Sequence, residues 1–134
     1  MSKFSNGLTL PWLLRLDSVT CVAMGALLAL ASDFISNLTE IPAKVLIYAG
    51  LSLIPIAIFM ALVSWRRLQQ KLLAQVVIAG NIVWVLGSLA LLGMVEPNGF
   101  GIVFVLAQAG AVAVFALLEW RALEARARHA GTTA

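Results

Sequence analysis

Four long apolar runs follow one another through nearly the whole of this 134-residue chain: Leu13–Ala31, Val45–Trp65, Leu72–Val95 and Gly99–Leu118. None has a charge at its centre. A helix that crosses a bilayer needs about 20 apolar residues, at about 1.5 Å of rise each. The last three runs meet that length without a single charge. The first carries Arg15 and Asp17 in its opening turns, with Asp33 just past its end. Its uncharged centre covers only about 22 Å, which predicts both acids near the membrane boundaries.

Composition agrees with these runs. Hydrophobic residues make up 62% of the chain and charged residues 11%, whereas soluble domains average roughly 45–50% and about 25%. The fold class expected is therefore all-α: a polytopic membrane protein with four antiparallel spans, compatible with two tandem helical hairpins. The spans are placed at about 12–32, 43–65, 71–95 and 99–121, and residues 122–134 form a helical tail outside the membrane. Ala29-Leu30-Ala31 has the look of a signal-peptide cleavage site. Because Asp17 interrupts the approach to the apolar core, the first run is read as a retained helix.

Positive charge sets the orientation. Lys3, Arg15, Arg66, Arg67, Lys71, Arg121, Arg126 and Arg128 fall on one side of the runs and Lys44 alone on the other. The positive-inside rule then predicts both termini in the cytoplasm, in a bacterial inner membrane. Trp12, Trp65 and Trp120 lie at the same predicted ends, where indoles favour the headgroup level. The net charge of +3 describes a collar that attracts anionic lipid headgroups; no basic groove for nucleic acid is expected.

The connections are short: 32–42 and 96–99 outside, 66–71 inside. Residues 60–68 and 115–123 share Ala, Leu, Trp, Arg and Leu at an offset of 55. This hints at duplicated hairpins, although any helix leaving a membrane inward tends to end in apolar–Trp–Arg.

Three sets of residues are candidates for more than lipid contact. Cys21, Gly25 and Ala29 form a small-residue ridge on the first span, suited to close helix packing within the bundle or between subunits. Ser52, Pro55, Asn81 and Gln108 are predicted to converge about 15–19 Å from the inner boundary, with Trp84 on the same helix face as Asn81. Pro55 frees the carbonyl of Leu51, which Ser52 could partly satisfy. The amides could either bond each other or that carbonyl as a packing staple, or line a solute site. Asp17, Arg66, Arg67, Glu119 and Arg121 gather at the inner edge, where mutual pairing would lower the cost of charges near hydrocarbon.

Several chemistries lack their residues. His129, the only histidine, lies in the tail. This leaves no bis-histidine haem, no metal site and no nucleophile–histidine pair within the spans. No catalytic residue and no cofactor are predicted. Small multidrug resistance transporters are also four-helix chains of this size, but their hallmark is a glutamate in the middle of the first helix. Val19–Leu30 contains no acid here, so membership does not follow.

Three functions stay open on these grounds. One is a structural component, either a homo-oligomer or an accessory subunit of a larger membrane complex. The second is a carrier or binding protein for a small apolar or zwitterionic solute. The third is a quinone- or pigment-binding bundle in which Trp84 and Phe115 line the pocket.

Overall fold

In the computed structural model, residues 9–65 and 71–133 are described, with side chains for 9–64 and 71–128. The chain is all helical: α1 (Leu10–Leu30), α2 (Ser32–Thr39), α3 (Ala43–Trp65), α4 (Lys71–Val95) and α5 (Gly99–Thr133). All but α2 are long and apolar enough to cross a membrane. They pack mainly as two hairpins, α1 with α3 and α4 with α5.

Each long helix buries a narrow seam. On α1 it runs through Leu10, Leu14, Asp17, Cys21, Gly25 and Leu28. On α3 it runs through Leu46, Gly50, Leu53, Ala57, Met60 and Ser64. The spacings are threes and fours, which keep one face turned to a neighbour. Between seams the helices are just as apolar but exposed: Val19, Tyr48, Val83 and Val103 are examples. Those side chains face where lipid would be.

The α1/α3 hairpin closes on glycine. A Cβ built on Gly25 would lie 2.9 Å from the Gly50 carbonyl oxygen, and one on Gly50 would lie 2.6 Å from that of Gly25. Only two bare backbones fit there. The small ridge of α1 is thus used inside the chain, against a glycine on α3 that sequence reading did not single out. The ridge also does not run straight. A repeat of four turns through 400°, so it drifts about 40° per step from the buried face. Cys21 and Gly25 are buried, Ala29 is half-buried and Asp33 is exposed.

The first outer connection, expected as a loop, contains α2. Ala31 leaves helical geometry at φ −109° and ψ 25°, and the chain restarts at Ser32. The burial of α1 continues across this break through Ser32, Ile35 and Thr39, while Phe34 and Leu38 point outward. The helix ends at Glu40, whose φ of 60° is left-handed. Asn98 ties this connection to the second one. Its Nδ2 donates to the Leu38 carbonyl at 2.9 Å, and its backbone N–H donates to that of Thr39 at 3.1 Å. Its Oδ1 also caps α5 by accepting from the Gly101 N–H at 2.9 Å.

In the two segments that align at an offset of 55, Ser64 and Glu119 are both buried, but Met60, Ala61 and Val63 differ in burial from Phe115, Ala116 and Leu118.

Candidate functional site

The polar residues of the seams define the site, because burial forces each to find a partner inside the bundle. Four seam residues on three helices meet at one point: Asp17 and Cys21 on α1, Asn81 on α4 and Glu119 on α5. Asp17 is 1% exposed, Glu119 0% and Asn81 6%. Asn81 Nδ2 donates to Asp17 Oδ2 at 2.9 Å and to Glu119 Oε1 at 2.8 Å. Each of its two amide hydrogens thus serves one carboxyl group. Cys21 Sγ donates to the other Asp17 oxygen, Oδ1, at 3.7 Å. Glu119 Oε2 accepts no hydrogen bond, although it is fully buried.

Of the expected inner-edge charges, Asp17 and Glu119 bond Asn81 and make no ion pair with Arg15 or Arg121. Arg15 and Arg121 are exposed, and the acids turn inward to Asn81. Arg66 and Arg67 lie outside the described residues. The reason is which face each side chain occupies: both acids lie on the buried seams of their helices, and both Arg15 and Arg121 lie off them. α5 runs on to Thr133 as the helical tail expected from the sequence.

The expected midplane cluster is divided. Asn81 and Gln108 do not bond each other. Gln108 Oε1 accepts from Trp84 Nε1 at 2.9 Å, while its Nε2 donates to Ser88 Oγ at 2.9 Å and to the Val105 carbonyl at 3.1 Å. Ser88 Oγ donates in turn to the Trp84 carbonyl at 2.8 Å. Gln108 is fully used in a staple between α4 and α5. Ser52 is exposed and donates to the Tyr48 carbonyl at 2.7 Å, not to Leu51. The hydroxyl that does join α1 to α3 is Ser18, whose Oγ donates to the Ala57 carbonyl at 2.8 Å.

The remaining members line a cavity. α3 and α4 touch little, and between them lies a cleft of about 320 Å³. Pro55, Ile56, Phe59 and Met60 form one wall, and Val76, Val77, Gly80, Asn81 and Trp84 the other, with Cys21 and Val112 behind. Among the described residues, Phe59 and not Phe115 lines this pocket. The cleft is open beside Gly80, where a Cβ would meet nothing within 4 Å. Asn81 and Cys21 belong both to the cleft wall and to the acid cluster, which places the two carboxyl groups directly behind that wall.

Among the described residues, no three His, Cys, Asp or Glu side chains are grouped to hold a metal ion. Sequence reading had selected Asp17, Asn81 and Glu119, but at two different depths. Their meeting was hidden because it depends on how far α4 and α5 slide past α1, and local sequence does not encode that. No protein-family model matches the chain, and neither does any curated protein or solved structure.

Proposed function

We propose that this four-span protein binds, and carries, a small and largely apolar solute that enters sideways from the bilayer between α3 and α4. One observation carries the reading: an apolar cleft of about 320 Å³ whose wall contains Asn81, the residue that holds two buried acids. Ligand pockets start at about 300 Å³ and are mostly apolar with a few convergent polar groups. Ionisable residues inside a membrane are costly to keep and mark solute or proton paths more often than packing.

The competing role, a self-associating or accessory bundle, drew on the small ridge of α1. The Gly25 part of that ridge is occupied by α3. A quinone or pigment would use the same cleft, with Phe59 and Trp84 beside the ring, and counts as one form of the apolar solute.

Filling the cleft tests the reading. Gly80→Leu adds a side chain where there is open space and replaces a residue that helices disfavour by about 1 kcal/mol. The variant should fold. Native mass spectrometry of protein released from membranes should find a small molecule on the wild type and lose it in Gly80→Leu. The same small molecules on both, or none on either, would count against a solute in this cleft.

A further inference from the structure

We infer that the solute is a lipophilic monocation, a quaternary or protonated amine with an apolar group, and that it exchanges for a proton held between Asp17 and Glu119. The inference rests on the cleft reading above and adds the charge of the occupant.

Three observations point to a cation. First, among the described residues no lysine or arginine lines the cleft, while two carboxyl groups lie behind Asn81 and Cys21. Second, Trp84 and Phe59 line it, and aromatic faces attract quaternary ammonium groups, more strongly when water is excluded. Third, Glu119 Oε2 is fully buried without a donor. Its carboxyl group shares the Asn81 amide nitrogen with Asp17, itself an acceptor. Two carboxyl groups this close, in an apolar bundle, cannot both be charged. One proton between them removes the repulsion and provides the missing donor. The titratable groups facing the pair among the described residues are the two acids themselves and Cys21, all on α1 and α5. α4 contributes the neutral amide of Asn81.

The exchange balances in charge. The protonated pair carries one negative charge. When Asn81 rotates aside, a cation in the cleft reaches the carboxyl oxygens, and the shared proton leaves to water. Two negative charges then face one positive charge, and the amide returns as donor when the cation departs. Linkage fixes the sign: a ligand that displaces a proton binds more tightly as pH rises, by about tenfold per unit while one proton is exchanged.

The test uses benzyltrimethylammonium and its neutral isostere neopentylbenzene, titrated by calorimetry against the full chain in lipid nanodiscs, with empty nanodiscs as blank. Repeating the titration in buffers of different ionisation enthalpy counts the protons. The expected result is cation binding with about one proton released, and affinity rising about tenfold per pH unit. Glu119→Gln and Asp17→Asn should each weaken the cation at least tenfold and abolish the release. If the isostere binds and the cation does not, or if the cation binds without releasing a proton, this inference is overturned and the cleft reading survives. If neither compound binds, both fall. The wild-type titrations decide between these outcomes even where a variant fails to fold.

Discussion

Asn81 is the residue on which the most interactions depend. Its single amide nitrogen joins α4 to α1 through Asp17 and to α5 through Glu119, so it ties the two hairpins together. Gln108 looks equivalent in sequence, yet it bonds only within the α4/α5 hairpin. The two amides should therefore respond differently to removal. Asn81→Leu strands two buried acceptors, each at a cost of about 1–3 kcal/mol. Gln108→Leu breaks bonds of a kind that averages about 0.6 kcal/mol in membrane bundles. Reversible unfolding in mixed micelles should rank Asn81→Leu as much the more damaging. Equal losses would mean that the acids do not depend on Asn81. Asn98 is the corresponding residue at the outer end, where it caps α5 and holds the α2 connection. Asn98→Ala should cost about 1 kcal/mol or more, read by the same unfolding.

At the scale of elements, the helices differ in how their small residues are used. Gly25 and Gly50 are in backbone contact, and Gly101 packs on the Thr39 carbonyl, 2.5 Å from where its Cβ would stand. Gly87, Gly93 and Gly110 face open space. Alanine at Gly25 or Gly50 should force α1 and α3 apart and lower the melting temperature. Alanine at Gly87 or Gly110 should leave it unchanged or raise it, because glycine is the poorer helix former by about 1 kcal/mol. Thermal unfolding of the four variants checks this, and a loss at Gly110 comparable to that at Gly50 would contradict the open space seen there. All these glycines are visible in sequence, but which of them carry a contact is not. In a soluble helix the apolar stripe marks the packed face. Here Val83 and Val103 face outward and are as apolar as the buried Val77 and Val105, so hydropathy does not distinguish the seam from the lipid face.

For the molecule as a whole, two hairpins with little contact between α3 and α4 leave one side of the bundle open. α1 is the most enclosed of the four spans and α4 the least. The cleft is a property of this arrangement and of no single helix. The expected orientation belongs to the same scale. Eight of the nine basic residues lie on the side of the termini, so reporter fusions at residue 3 and at the C-terminus should both report cytoplasm, and one between Ser36 and Thr39 the opposite side. A fusion at either terminus found outside would reverse the orientation and place the carboxyl pair nearer the outer face.

The sequence by itself determined the solvent, the number of spans and the ends of most helices. These depend on properties that are additive along the chain: apolar length, charges that stop insertion, and the Glu96-Pro97-Asn98-Gly99 turn. It also marked the residues too polar to face lipid. The tertiary structure decided which of those residues meet. Asp17 and Glu119 were legible as acids near a boundary and Asn81 as an amide near the centre, but their contact depends on the relative sliding of three helices. That sliding is set by the Asn98 tie and by side-chain packing between distant segments. In a medium where every face of a helix is apolar, no periodic signal records it.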